Sequence, residues 1–216
     1  METIQVAYRE FVAEAYESAR PLPTKIQDAK YPERVIRFRA SDATIDRYQE
    51  VIIPEGWDFT DYIKNPVVMQ MHDYQQWPIG RAIAVGVVNG ALYIDCEFDP
   101  PEVDETADLV FRKIKHGTVK AGSVGFIPLE SIDAYQHASN DLFKKYPGAK
   151  RIYTKSSLLE WTICPIGANP NALMAQMKRV YQRVFGTEPA GADMGEVAAN
   201  ESAIMQAIEK LNKQME

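Results

Sequence analysis

Apolar and polar positions recur with two different periods along this chain. Over residues 4–19 the apolar side chains return at helical spacing, and Pro21 and Pro23 end the predicted helix. Beyond residue 33 the period falls to two, which is typical of strands with one face in a core. The strands predicted from this alternation cover residues 34–40, 51–54, 66–72, 83–88 and 91–98. The chain therefore begins with a helical extension and continues as a β-rich body.

Turn and cap residues mark the elements that follow. Asn89-Gly90 favours a type I′ turn, which predicts a hairpin between the last two of these strands. A helical pattern over 103–116 ends at a glycine, the usual residue after a helix C-terminus. Further strands are predicted over 118–127 and 157–163. Strict alternation in the last strand assigns two sets of residues to opposite faces, Leu158, Glu160 and Thr162 against Leu159, Trp161 and Ile163.

The remaining segments are polar or helical. Residues 130–155 are polar and lack steady periodicity before Arg151. We interpret most of them as an inserted loop that can include a helical turn. Asn169-Pro170 is typical of a helix N-terminus, and apolar residues then recur at helical spacing. Together the elements predict the α+β class. They also predict three parts, which are a helical extension with its linker at 1–32, a single domain at 33–186 and a linker with a short helical tail at 187–216.

Composition narrows the classes of partner. With 216 residues, 46% of them hydrophobic and 10% aromatic, the chain can bury the core of one ordinary domain. A formal charge of -6 argues against nucleic acid as the main partner, because phosphate binding needs concentrated Lys and Arg. No long uninterrupted apolar run or secretory leader pattern is present, so we expect no membrane association and a cytoplasmic location.

The potential metal and cofactor ligands are few and unfavourably spaced. Cys96 and Cys164 lie far apart and are expected to be buried free thiols. Acidic residues cluster over 99–105, but they precede a predicted helix, where carboxylates suit the helix dipole. The sequence also has no phosphate-binding loop and no dinucleotide fingerprint. We therefore expect neither a metal nor a cofactor.

The first candidate for chemistry is Ser123, which lies between Gly122 and Gly125. A hydroxyl is a weak nucleophile at neutral pH and needs a neighbouring base, which in turn needs a partner to orient it. The glycines permit two interpretations. They allow the strained or closely approached backbone of an exposed nucleophile, and they also suit a small residue where another segment packs closely.

The chain has three histidines as candidate bases, and Glu160 is the candidate partner for the base. His72 lies at the end of an apolar strand, where a base can be held rigidly, although a core histidine bonded to backbone would look the same. His116 is explained by the end of a helix, and His137 lies in the polar insert. Glu160 lies in a strand fit for burial, where carboxylates are rare unless paired. The alternative for Glu160 is an edge position with its carboxylate in water.

Four segments carry a family resemblance. They lie in order over roughly residues 35–175 and are Ser41 to Ile52, Pro66 to His72, Lys120 to Phe126 and Leu159 to Ala172. Together they resemble the prohead maturation proteases of tailed bacteriophages, which are similar to herpesvirus assemblin. The resemblance implies a closed, mostly antiparallel β-barrel surrounded by helices.

The resemblance also implies a function and a set of roles. Ser123 would be the nucleophile, His72 the general base and Glu160 the third member of a serine endopeptidase. The implied substrates are the phage scaffold and the major capsid protein, digested inside the assembling prohead in the host cytoplasm. A homodimer is compatible with the resemblance, and neither nucleic acid nor membrane is expected as a partner.

Some departures and alternatives accompany the resemblance. Herpesvirus relatives have a second histidine in the third role, but His137 lies outside the matching segments, so Glu160 is preferred. Gln49 stands where the family often has glycine. The donors of an oxyanion hole are not assigned, and backbone amides near Ser123 or the side chain of Lys120 are the candidates. A non-catalytic scaffold or capsid-assembly module on the same barrel is the alternative function, and an esterase is a third.

Overall fold

The computed structural model describes residues 21–137 and 139–175, with Gln136 and His137 described by their backbone only. Residues 22–174 form one compact unit. The predicted helix over 4–19 and the predicted tail at 187–216 lie outside the described residues, as does most of the apolar stripe that follows Asn169. No helix in the described part of the chain is long and apolar enough to cross a membrane.

Nine strands and three α-helices make up the described fold. The strands are β1 (Thr24–Lys25), β2 (Val35–Asp42), β3 (Glu50–Ile52), β4 (Trp57–Asp58), β5 (Val67–Gln70), β6 (Gly80–Val88), β7 (Ala91–Phe98), β8 (Gly122–Asp133) and β9 (Arg151–Ile163). The helices are α1 (Glu105–His116), α2 (Ala134–His137) and α3 (Asp141–Lys145). Short 3₁₀ turns lie at Pro32–Arg34, Pro54–Gly56 and Tyr62–Lys64.

Local signals in the sequence account for the β6–β7 hairpin and for α1. Asn89 and Gly90 have φ angles of 45° and 73°, as the predicted type I′ turn requires. Helix α1 begins after Asp104, whose carboxylate accepts the Thr106 N–H at 2.7 Å, and it ends at Gly117 with φ of 87°. The predicted hairpin and the predicted helix are therefore confirmed.

Strand β9 organises the sheet. Its whole length pairs antiparallel with β8 on one edge, and β3, β4 and β5 follow one another along its other edge, all parallel to it. From β5 the sheet continues through antiparallel β6, β7 and β2. Strand β9 thus lies between β5, which ends just before His72, and β8, which contains Ser123.

The predicted sheet-rich fold is confirmed, but the predicted closed, mostly antiparallel barrel surrounded by helices is not, because the sheet is mixed and open and the described helices are few. Three of its pairings are parallel, because β9 returns beside β3, β4 and β5 only after the chain has passed through β6, β7 and β8. The ladder of named strands does not close between β2 and β8. The segment after β9 crosses this gap, where Arg39 N–H donates to Leu173 O at 3.0 Å and Met174 N–H donates to Lys120 O at 2.8 Å.

Aromatic side chains fill the concave side of the sheet. Phe38 lies against Phe98 and Trp161, with ring centroids 6.5 Å and 5.5 Å apart. Helix α1 covers this cluster with Ala107 and Ile114, which are both fully buried. Burial of this aromatic and aliphatic surface fixes β2, β7 and β9 relative to one another.

The predicted polar insert at 130–155 is mostly regular structure. Strand β8 continues to Asp133 and β9 begins at Arg151, and these two residues are paired in register and joined by an ion pair at 2.8 Å. Only residues 134–150 connect the strands, and α2 and α3 occupy part of them. The prediction was wrong because several side chains in the outer part of this hairpin face solvent, so no apolar alternation marks it.

The helix predicted to begin at Asn169 does not begin there. Asn169 Oδ1 accepts the N–H of Asn171 at 2.8 Å and closes a turn. Leu173 and Met174 are then extended and bridge to neighbouring strands. Asn is favoured both at such turns and at helix N-termini, because in each its side chain accepts a nearby backbone N–H.

Alternation in β9 is interrupted by a β-bulge. Gly125 is paired with Glu160 but Phe126 with Leu158, so Leu159 has no partner in the register. Leu159 is half exposed, whereas Leu158 and Trp161 both belong to the core. The predicted assignment of Leu158 and Trp161 to opposite faces is therefore wrong, because a bulge inserts one residue and shifts the alternation beyond it.

Candidate active site

Thr162 of β9 lies between β8, which contains the candidate serine, and β5, which ends two residues before the candidate histidine. It is the register partner of Ser123 in β8 and of Met69 in β5. Its side chain is fully buried, and its Oγ1 accepts the N–H of His72 at 2.9 Å. The row across the three strands therefore brings His72, two residues beyond β5, to the same end of β9 as Ser123.

The backbone leaves strand geometry at His72. Met71 and His72 have φ angles of 58° and 55°, in the left-handed region that non-glycine residues rarely adopt. Such a conformation costs about 1–2 kcal/mol per residue and persists where the surroundings impose it. The bond to Thr162 and a second from Met71 N–H to Ile163 O at 3.0 Å supply that constraint. The chain turns abruptly as a result, and His72 lines a cleft.

A buried carboxylate holds the His72 ring. Glu160 Oε1 lies 2.5 Å from His72 Nδ1, and Glu160 is only 1% exposed, against 40% for the histidine side chain. The second oxygen, Oε2, is buried without a hydrogen-bond partner among the described residues. An ionised Glu160 requires the proton on Nδ1, so Nε2 presents its lone pair. The paired interpretation of Glu160 is thus the one that the structure shows.

Other ionisable groups near Glu160 remain neutral. Burial, and then the charge of Glu160, raise the pKa of the Tyr74 phenol above its usual value. Burial also raises the pKa of the Tyr62 phenol and of the Cys164 thiol, and Glu160 adds to both shifts. The Glu160 carboxylate is therefore hydrogen-bonded to the His72 imidazole, while the neighbouring phenols and the thiol carry no charge.

The glycines beside Ser123 make room for side chains of β9. A Cβ atom at Gly125 would overlap the Glu160 carboxylate, and a Cβ atom at Gly122 would overlap the Trp161 ring. Neither glycine has a positive φ angle. Their role is therefore close approach, and the group that approaches Gly125 is the carboxylate that binds His72.

Ser123 and His72 line one cleft of about 680 Å³. Ser123 is half-buried at its edge. Apolar and aromatic side chains form much of the remaining wall, and they are Ile52, Val124, Phe126, Pro128, Tyr153, Pro165 and Ile166. A cleft of this size suits several residues of an extended peptide or a comparable organic ligand.

The other residues singled out in the sequence lie elsewhere or play other roles. His116 is exposed at the end of α1, where its Nδ1 lies 2.9 Å from Thr118 Oγ1. Cys96 and Cys164 are buried free thiols, as predicted, and Cys164 lines the cleft. Lys120 is exposed and does not line the cleft.

Within the described residues, no group of three or more His, Cys, Asp or Glu side chains is arranged to hold a metal ion.

Sequence reasoning missed Thr162 as the anchor of His72. The only sign of this role in the sequence is the predicted strand alternation, which places Thr162 on the same face as Glu160.

Gln49 adopts the conformation that glycine favours. Its φ angle is 65°, and its N–H donates to Asp46 O at 3.0 Å in a tight turn. The Asp46 carboxylate closes the same turn by accepting the N–H groups of Tyr48 and Glu50 at 2.8 Å and 2.9 Å. Both of these residues line the cleft, so the turn shapes its wall at some backbone cost.

The site contains the components of acyl transfer by a serine hydrolase. An imidazole bound to a buried carboxylate through one nitrogen can accept a proton at the other, and a serine hydroxyl in the same cleft is a nucleophile that needs such a base. The sequence model of the caudovirus prohead serine proteases matches residues 32–185. The chain belongs to this family.

Two individual proteins are similar to this chain. The prohead protease of Escherichia phage T5 is 32% identical over an alignment of 123 residues, which covers 54% of this chain and 54% of that protein. The chain thus matches about half the length of this relative. The crystal structure of KSHV protease in complex with a hexapeptide phosphonate inhibitor matches with 13% identity and a TM-score of 0.40, over 82% of this chain and 76% of that one.

Proposed function

We propose that this protein is a serine endopeptidase of phage head maturation, with Ser123 as nucleophile, His72 as general base and Glu160 as the residue that orients the base. The observation that carries the proposal is the 2.5 Å contact between buried Glu160 and His72, in a cleft that Ser123 also lines. Family membership supports the same class of enzyme.

The proposed reaction follows from this arrangement. His72 Nε2 takes the Ser123 proton as Oγ attacks the peptide carbonyl, and Glu160 stabilises the imidazolium that forms. The imidazolium then gives its proton to the departing amine, which leaves an acyl-enzyme ester on Ser123. Water, deprotonated by the same imidazole, attacks this ester and releases the carboxylic acid and the free serine.

The proposed substrates are the phage scaffold and major capsid proteins, cleaved inside the assembling prohead within the host cytoplasm. Apolar walls beside Ser123 suit the side chains of an extended polypeptide, whereas an esterase acting on small acyl groups would need less of this cleft. A homodimer belongs to the same proposal. We also propose that residues 33–186 form a protease domain with terminal extensions on both sides. The segment that bridges β2 and the start of β8 would close the barrel of this domain.

A serine-reactive fluorophosphonate probe tests the assignment directly. We expect the probe to label the purified protein at Ser123, with peptide mapping to locate the adduct, and we expect Ser123→Ala to remain folded and unlabelled. The same variant should lose hydrolysis of the capsid or scaffold protein by on the order of 10⁴-fold or more. Cleavage by a pure, folded Ser123→Ala protein would exclude this nucleophile, and a folded wild type without labelling or cleavage would indicate the non-catalytic assembly module.

A further inference from the structure

The segment that follows β9 lies directly on the residues before Ser123. We call residues 164–172 the 164–172 loop. At its start Cys164 N–H donates to Ala121 O at 3.2 Å, and at its end Ala172 O accepts the N–H of Gly122 at 3.1 Å. In between, Gly167 approaches Gly122 so closely that a Cβ atom on Gly167 would overlap the Gly122 carbonyl. The backbone before the candidate nucleophile is therefore packed against this loop as well as against β9.

A residue of the β2–β3 connection binds the loop from its other side. Arg47 N–H donates to Ala168 O at 3.1 Å, and its guanidinium Nη1 donates to Gly167 O at 2.5 Å and to Ala168 O at 3.3 Å. One arginine therefore satisfies two carbonyls at the point where the loop meets Gly122. An arginine can do this because its planar head carries several donors in fixed directions.

A carboxylate at the end of β2 binds the other half of the loop. Asp42 Oδ1 accepts from Asn169 Nδ2 and Asp42 Oδ2 accepts from Asn171 Nδ2, both at 2.9 Å. Asn171 also donates to Thr44 Oγ1 at 2.8 Å. Burial opposes ionisation of Asp42, but the hydrogen bonds from Asn169, Asn171 and Thr44 outweigh burial and lower the pKa of this carboxyl. Both oxygens of a charged group are thus committed to the loop.

We propose that Arg47 and Asp42 form a clasp that keeps the 164–172 loop closed against Ala121 and Gly122, and that both are positioning residues for Ser123. Their effect on catalysis rests on the proposed function, whereas their effect on the loop does not. The loop supplies a large part of the cleft wall, through Cys164, Pro165, Ile166, Ala168 and Asn169. Opening it would remove support from the nucleophile and one wall from the substrate site together.

The rate of Cys164 alkylation reports whether the 164–172 loop opens, and this measurement does not depend on catalytic activity. Cys164 is 7% exposed within the loop, and Cys96 is fully buried in the core, so the protein contains its own control. We expect Arg47→Ala to increase the rate of Cys164 alkylation by iodoacetamide about tenfold, which matches the loss of hydrogen bonds to a charged group. Mass spectrometry should find Cys96 unreacted. Arg112→Ala removes an exposed ion pair with Asp108 on α1 and should leave Cys164 protected.

Kinetics per titrated active site measure the positioning effect. A fluorophosphonate titration gives the concentration of reactive Ser123, so unfolded protein does not enter kcat. We expect kcat per titrated site to fall about tenfold or more in Arg47→Ala and in Asp42→Asn, because a displacement of about 1 Å can cost on the order of 10²-fold. Arg47→Lys keeps the positive charge but on a single donor nitrogen, and it should recover part of the loss.

A double variant that exchanges the side chains of Asp42 and Asn171 distinguishes loss of the clasp from a failure to fold. Asp42→Asn removes the charged acceptor of the Asn171 amide, and the added Asn171→Asp change restores one carboxylate and one amide at this contact. We expect the double variant to recover both Cys164 protection and kcat. Unchanged Cys164 reactivity in Arg47→Ala, unchanged kcat per titrated site, or no recovery in the swap would each overturn the clasp. A wild type that neither labels nor cleaves would instead overturn the proposed function, while the alkylation result would still decide whether the loop is held.

Discussion

Gly125 and Glu160 lie directly opposite each other across β8 and β9, and the Glu160 carboxylate fills the space that a side chain at position 125 would take. Position 125, two residues after the candidate nucleophile, is therefore a glycine because a larger side chain would displace the carboxylate that holds His72. This relationship links the serine segment and the glutamate segment of the sequence through one steric requirement.

Gly125→Ala should impair catalysis more than stability. The added methyl group must displace Glu160 from His72, and a shift of about 1 Å in a catalytic group can cost on the order of 10²-fold in rate. Overpacking of this kind typically costs about 1–3 kcal/mol of stability. Peptide hydrolysis and urea denaturation measure the two effects. Ser131→Thr, which adds a methyl group at an exposed position of the same strand, should change neither. A fully active Gly125→Ala protein would contradict the close contact.

Glu160→Gln should lose rate on the order of 10⁴-fold, and His72→Ala on the order of 10⁶-fold. The amide can still hold the ring, but it favours the wrong tautomer and does not stabilise the imidazolium. Single-turnover peptide hydrolysis gives both rates, with circular dichroism to confirm folding. His137→Ala is the control and should keep activity. If Glu160→Gln were fully active and His137→Ala inactive, the histidine would be the third member.

Thr162→Val should lower kcat about tenfold while KM changes little. The substitution keeps the shape of the side chain but removes the oxygen that accepts the His72 N–H, so the left-handed turn at His72 loses an anchor. Thr162→Ser retains the hydroxyl and should recover most of the activity. Equal activity in the valine and serine variants would show that the bond does not position the histidine.

The stabilising effect of Asp42 should disappear in acid. Because its folded-state pKa lies below the usual 3.8, its contribution to stability is fully present above that value. The contribution is lost as the pH falls through the folded-state pKa. Urea denaturation should therefore show a gap between wild type and Asp42→Asn that is constant near neutral pH and shrinks below pH 3.8. Asp141→Asn, at an exposed pair with Lys144, should show little gap at any pH, and a gap for Asp42→Asn that widens in acid would reverse the sign.

Gln49→Gly should stabilise the fold by about 0.5–1 kcal/mol, which is the left-handed cost of the glutamine less the entropy that glycine loses on folding. The φ angle of 65° at Gln49 is the basis for this expectation. Thermal unfolding measures the gain, and peptide hydrolysis should stay at the wild-type level. Gln75→Gly, at a position with an ordinary negative φ, should instead lose stability. A destabilised Gln49→Gly protein would contradict the strain.

The elements with local signals could be predicted from the sequence. Asn89-Gly90 fixed a hairpin, and Gly117 fixed the end of α1, because both depend on backbone conformations that few residues adopt. The pairing of His72 with Glu160 was accessible as a hypothesis, since a carboxylate in a strand fit for burial needs a partner.

Features that depend on a distant partner could not be predicted in this way. The bulge at Leu159 appears only when β9 is paired with β8, and it reverses the faces of the residues beyond it. The turn at His72 exists because Thr162 and Ile163 bind the backbone there, ninety residues later in the case of Thr162. Asn169 was interpreted as a helix N-terminus because the partner that captures its side chain, Asp42, lies at the far end of β2.

The chain order of the strands also controls when the site can exist. Strand β9 binds β5 on one edge and β8 on the other, yet it is the last of the named strands to leave the ribosome. Before residues 151–163 emerge, His72 and Ser123 have already been made but nothing holds them together, and pairing across such long sequence separations is slow. A nascent chain that stops before β9 therefore contains the proposed nucleophile and the proposed base without the strand that brings them together. The order of synthesis thus delays formation of the proposed site until residues 151–163 have been made.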